Sequence, residues 1–132
     1  MPIHEATERR LSLKEVAVEI LQDAAAGRAG EAFARHAAAD FRHHNPFFAG
    51  DAESLARAMD DNAAQHPQKT LAVQHVLKDG DLVAVHSRVQ HGPGEPEVAT
   101  VHLFRFASDR LVELWDVALV APLSSPNQHG MF

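Results

Sequence analysis

The segment Val98-Ala99-Thr100-Val101-His102-Leu103-Phe104-Arg105-Phe106-Ala107-Ser108-Asp109-Arg110-Leu111-Val112-Glu113-Leu114-Trp115-Asp116-Val117-Ala118-Leu119-Val120 reads as two strands joined by a turn. In its first half Val98, Thr100, His102, Phe104 and Phe106 share one face, and Arg105 points the other way. In its second half Val112, Leu114, Asp116, Ala118 and Val120 share a face, with Glu113, Trp115, Val117 and Leu119 opposite. Period-two patterning with many β-branched and aromatic side chains marks half-buried strands. The spacing predicts strands over Val98–Phe106 and Leu111–Val120, turned at Ala107-Ser108-Asp109.

Upstream, the same period begins at Thr70. Lys78-Asp79-Gly80-Asp81 is a hairpin signal between a strand Leu71–Leu77 and a strand Leu82–Gln90. Gly92-Pro93-Gly94-Glu95-Pro96 is a loop. The first half of the chain changes to helical spacing. Ser12-Leu13-Lys14-Glu15 has the form of a capping box, followed by Val16, Ile20 and Ala24 on one face and a stop at Gly27. A second helix is expected over Glu31 to Ala38, and a third from a cap at Asp51 to about Gln65, before Pro67. His43-His44-Asn45-Pro46 is forced into extended or turn geometry, because the residue before proline avoids the helical region. Helices first and long antiparallel strands afterwards give an α+β domain with helices on one sheet face.

The 132 residues suit one domain, with peripheral tails over residues 1–10 and 122–132. The second tail ends on apolar Met131-Phe132, which can fray or dock on the domain or a partner. A formal net charge of −6 argues against nucleic acid as a partner. No run of apolar residues is long enough to span a bilayer. Met1-Pro2-Ile3-His4-Glu5 lacks the pattern of a signal peptide, so a cytoplasmic location is expected. The absence of cysteine removes thiolate chemistry and disulfides, and the absence of tyrosine removes any phenol donor. Ten histidines stand against this, yet His36, His43 and His44 show no metal-ligand spacing, and no metal is expected. Serine-hydrolase, dinucleotide-binding and phosphate-loop motifs are also missing.

Asp116 is the anomaly in its row. A carboxylate in line with apolar residues is costly to bury, and its pKa is expected to rise unless it is paired. If the Ser108-Asp109 turn holds one bulged residue, His102 and Asp116 fall on the same face of neighbouring strands. With a plain two-residue turn, His102 faces Trp115 instead. The bulge is the favoured reading, because it places Phe104 and Phe106 with Leu114. His44 and Asn45 sit where polar side chains shape a pocket mouth, and Asn45 can either donate to a substrate carbonyl or bond local backbone as a turn residue. His86 can point into the pocket or toward a dimer partner. Trp115, adjacent to Asp116, should pack on the outer face. Phe41, Phe47 and Phe48 can wall the cavity or simply fill the core.

Phe41-Arg42-His43-His44-Asn45-Pro46 resembles the His-Asn-Pro element of the SnoaL-like polyketide-cyclase family. Asp79-Gly80-Asp81-Leu82-Val83-Ala84-Val85-His86 is similar to that family's central hairpin. Leu103-Phe104-Arg105-Phe106 and Val112-Glu113-Leu114-Trp115-Asp116-Val117 are similar to its last two strands, and Pro122 to Phe132 to its tail. The resemblance covers nearly the whole chain in order. It implies an NTF2-like cone, a curved mixed or antiparallel sheet with about three helices enclosing a mostly apolar pocket, often a homodimer through the outer sheet face. It implies intramolecular aldol chemistry with an acidic side chain as acid/base and no cofactor. Asp116 takes the place of that acid, with His102 as its partner where many relatives carry an acidic residue.

The expected site is therefore Asp116 and His102 as catalytic groups, with His44, Asn45, His86, Phe41, Phe104 and Leu114 around a small apolar ligand bearing a carbonyl. The expected function is proton abstraction next to that carbonyl, leading to aldol-type cyclisation or a related isomerisation. Ketosteroid isomerases of this fold use a tyrosine donor, which this chain lacks. Water activation by Asp116 in a hydrolase is a further option. From another class comes a noncatalytic binder of an apolar metabolite, or a dimeric interaction module, since this fold does not fix a function.

Overall fold

The computed structural model describes residues 10–132 of the chain. The expected tail over residues 1–10 therefore lies, Arg10 apart, outside the described residues. The capping box forms as read: Glu15 N donates to Ser12 Oγ at 3.1 Å, and Ser12 N donates to Glu15 Oε1 at 3.0 Å. It starts α1 (Leu13–Ala25), whose buried face is Val16, Ala17, Ile20, Leu21 and Ala24. Gly27, at φ +85°, takes the left-handed turn that ends the helix.

Helix α2 runs over Ala29–His36, shifted two residues toward the N-terminus from the expected Glu31–Ala38. Two partners outside the segment cause the shift. Asp60 accepts from Ala29 N (2.7 Å) and Gly30 N (3.1 Å), so a carboxylate some thirty residues downstream supplies the cap that Arg28 lacks. At the other end Ala37 is drawn into a strand opposite Leu111. That strand, β1 (Ala37–His43), was not foreseen, because Ala37-Ala38-Ala39-Asp40 carries no β-branched signal. Helix α3 (Ala52–Gln65) begins at the Asp51 cap.

The remaining strands are β2 (Thr70–Asp79), β3 (Leu82–Gln90), β4 (Glu97–Ala107) and β5 (Arg110–Val120). They form one sheet in the order β1-β5-β4-β3-β2, with β1 parallel to β5 and the other pairs antiparallel. The sheet is curved, and the three helices of the described residues fill its concave side. Rows of inward side chains cross it. Val83 of β3, Phe104 of β4 and Leu114 of β5 make one apolar row, with Phe106 and Leu111 beyond it. Ile20, Phe33, Phe41 and Leu55 close on these rows from the helical side and β1, completing the core.

The β4–β5 turn differs from the expected one in an informative way. Ser108 and Asp109 both have positive φ (50° and 64°), so the turn itself is a plain two-residue one. The bulge lies further along. Ala107 pairs with Arg110 and Phe106 with Leu111, but Arg105 pairs with Glu113, leaving Val112 as the extra residue. From there outward His102 is opposite Asp116.

Candidate functional site

Beyond the apolar row, the inner face becomes polar. The next row is Val85, His102 and Asp116, and the one after it Ser87, Thr100 and Ala118. Val89, Val98 and Val120 restore an apolar row at the open end. This polar band floors a cavity of about 310 Å³ between the sheet, α1 and α3. Its walls include Leu21, Leu55, Met59 and Leu71, and Phe48 covers one side. The size falls at the small end of ligand sites.

The loop after β1 positions Asn45. His43 N donates to Gly50 O (3.1 Å), and the His43 ring ties the loop together from inside. Its Nε2 donates to Ala49 O at 2.6 Å and its Nδ1 accepts from Asn45 N at 3.1 Å, which fixes a neutral tautomer. Asn45 then fills both roles considered for it at once. Its Oδ1 accepts from Phe47 N at 3.0 Å, as a turn residue does, and its Nδ2 donates to Asp116 Oδ2 at 3.1 Å. The amide is thereby directed at the carboxylate. Asp116 itself is half-buried, lines the cavity, and makes no ion pair among the described residues.

His102 stands opposite Asp116, where cross-strand Cβ atoms are about 5 Å apart. It is 8% exposed, and its Nδ1 is buried without a hydrogen-bond partner among the described residues. Burial pushes its pKa down to about 4; the Asp116 charge opposes this and the Lys69 charge adds to it. The imidazole is therefore neutral near pH 7, with one N–H donor and one acceptor nitrogen.

Other expected site residues lie elsewhere. His86 is on the outer sheet face, its ring stacked on His75 (5.3 Å) and 6.0 Å from Phe132, because alternation along β3 turns Val85 and Ser87 inward instead. His44 also faces outward. It stacks on Trp115 at 5.1 Å and donates Nε2–H to Glu113 Oε2 at 2.6 Å. Glu113 further accepts from Arg105 (2.8 Å) and Arg42 (3.0 Å), and these partners, His44 foremost, hold its pKa down to about 2. Phe41, Phe104 and Leu114 are buried in the core row below the cavity rather than in its lining. Phe47 is 84% exposed.

The cavity also contains groups the sequence did not single out: Thr100, Asn62, Lys69 and His91. Thr100 was on the inward face all along, but a threonine in a strand is ordinary. Lys69 and His91 flank strands at loop junctions, where alternation gives no direction. A larger groove of about 600 Å³ lies between α2, the start of β1 and α3. Its Asp60 is spent on capping α2, and alanines make up much of the rest.

Among the described residues, three helices packed inside a curved five-stranded mixed sheet, with a pocket between them, make an NTF2-like α+β fold. The model of the SnoaL-like domain matches residues 18–114, and the chain belongs to that family. Among solved structures, wild-type IdmH from Streptomyces antibioticus, provisionally assigned as a polyketide cyclase, is 21% identical with a TM-score of 0.62, covering 81% of this chain and 92% of that one. A Kribbella flavida protein provisionally assigned as a ketosteroid isomerase is 22% identical with a TM-score of 0.64, covering 88% and 84%. An NTF2-like protein of unknown function from Cytophaga hutchinsonii is 12% identical with a TM-score of 0.68, covering 85% and 94%. At these identities the likeness establishes the fold alone. The chain matches no curated protein. No helix among the described residues is long and apolar enough to cross a membrane.

Proposed function

We propose that this protein is a cofactor-independent enzyme in which Asp116 removes a proton next to a carbonyl of a small, largely apolar substrate. The observation that carries the reading is the setting of Asp116: a carboxylate on the wall of a mostly apolar cavity, held at one oxygen by Asn45, with neutral His102 opposite. Asp116 takes the proton while the electron pair of the broken C–H bond moves onto the carbonyl oxygen. An N–H of His102 stabilises the enolate oxygen. In an aldol-type cyclisation the enolate carbon then attacks a second carbonyl of the same molecule, and the proton passes from Asp116 to the new alkoxide. In an isomerisation it returns to a different carbon. Asn45 acts as a positioning residue.

The family and the names given to the Streptomyces and Kribbella proteins are in keeping with this chemistry. The outer sheet face belongs to the same proposal. Leu103, Val117 and Leu119 form an exposed apolar strip there, which a second copy of the chain would cover.

The test is deuterium uptake from solvent at the carbon beside the carbonyl, measured across a panel of ketones and diketones. Asp116→Asn should keep its fold by circular dichroism and lose exchange by at least about 100-fold. A wild-type protein that binds such ketones and exchanges none of them would leave the noncatalytic binder as the better reading.

A further inference from the structure

Within the same cavity, Lys69 has no explanation in the proton-transfer chemistry. It follows α3 and immediately precedes β2, half-buried, and its Nζ donates to Asn62 Oδ1 at 2.8 Å. Among the described residues it forms no ion pair, so two of its three N–H donors lack a protein acceptor. Burial holds its pKa below the usual lysine value. Its charge is nonetheless felt by both His102 and His91. A cation drawn partly out of water with only an amide beside it is costly, unless a ligand supplies the counter-charge.

The register locates this cation relative to the base. Lys69 adjoins the end of the sheet where Leu71 pairs with Val89 and Val89 with Val98. His102 is four residues further along β4 from Val98, which is roughly 13 Å of strand, and Asp116 is opposite it on β5. The cavity is therefore bipolar, with Asp116 and Asn45 at one end, Lys69 and Asn62 at the other, and apolar walls between. Thr100 and His102 line the floor joining the ends.

We infer that the ligand is a keto acid, its carboxylate bound by Lys69 and its carbonyl placed several carbons away beside His102 and Asp116. The separation keeps the ligand's negative charge from that of Asp116. It also gives the enzyme a handle for orienting an otherwise flexible apolar chain. The inference rests on the proposed function for the role of the carbonyl end, but its own content is the charge preference at Lys69.

The probes are an oxo-octanoate with its ketone beside the terminal methyl group, and the corresponding primary amide, titrated calorimetrically into the purified protein at fixed ionic strength. Wild type should bind the acid about tenfold or more tighter than the amide. Lys69→Met should bind both at the affinity of the amide, and Lys69→Arg should keep the preference. Equal affinities in the wild type, a preference that survives Lys69→Met, or no binding of either probe would overturn the assignment. Deuterium uptake beside the ketone is followed in the same samples. A Lys69-dependent acid preference without uptake removes the base mechanism and leaves the carboxylate site standing. Uptake with acid and amide bound alike does the reverse.

Discussion

Burial holds the His102 imidazole at about 4, against an ordinary value of 6.5, and the attraction of Asp116 does not reverse it. The unfolded chain therefore binds more protons than the folded one between those two values. Stability from this group is complete above about pH 6.5 and is lost as pH falls toward 4, by roughly 3 kcal/mol over the window. Glu113 has the same sign in a lower window, since its pKa drops from 4.5 to about 2, so the two effects separate along the pH axis. Urea midpoints measured between pH 7 and pH 4.5 should fall for the wild type and fall much less for His102→Leu. Asn45→Ala removes the only hydrogen bond Asp116 accepts from a side chain among the described residues. It should lower kcat by about 10- to 100-fold with little change in KM, as expected for loss of orientation rather than of binding. At this scale the sequence was half legible. Asp116 and His102 were visible because alternation sets a polar group in an apolar row. His44 was not, because its direction depends on Glu113, whose own facing is set by a bulge that no residue type announces.

That bulge is a single residue in β5, and the site depends on it. With the two-residue turn alone, His102 would lie opposite Trp115, and Asp116 would point away from the cavity. Deleting Val112, the extra residue itself, should leave a regular hairpin in which His102 is still opposite Asp116, so deuterium uptake should survive the deletion in large part. Glu113 and Trp115 keep their outward facing, so the variant should still fold cooperatively in thermal melts. The turn offers a stabilising change. Ser108 and Asp109 both occupy the left-handed region, which favours asparagine and glycine. Ser108→Asn combined with Asp109→Gly should stabilise the domain by about 1 kcal/mol, read as a rise in denaturation midpoint, with activity unchanged. Elements with local signals were legible: the capping box of α1, the Asp51 cap of α3 and the Gly80 hairpin. Strand β1 and the start of α2 were not, because their causes are distant in sequence. Ala37 becomes a strand because Leu111 is beside it, and Ala29 starts a helix because Asp60 caps it.

The sheet divides the molecule into two environments. Among the described residues, its concave side is filled by three helices and the cavity, whereas its convex side has no helix or strand packed on it. Leu103 (39% exposed), Val117 (67%) and Leu119 (65%) stand there in open water on adjacent strands. One edge of the face is already covered by the chain itself. Phe132 of the tail packs under the Arg88 guanidinium at 4.8 Å, and Arg88 is in turn ion-paired with Glu97. The open strip lies toward β5, beside Trp115 and His44, and a stable association buries about 800 Å² on each partner. Under the proposed arrangement, each Val or Leu side chain buried there contributes about 1–3 kcal/mol, so a charge in the strip should be decisive. Val117→Lys with Leu119→Lys should convert a dimer to a monomer in light scattering behind size exclusion. Both side chains point away from the cavity, so binding of the keto acid should survive if each pocket is complete within one chain. A wild-type protein that runs as a monomer at high concentration would remove the second copy from the proposal, and the strip would then need another partner of equally apolar character.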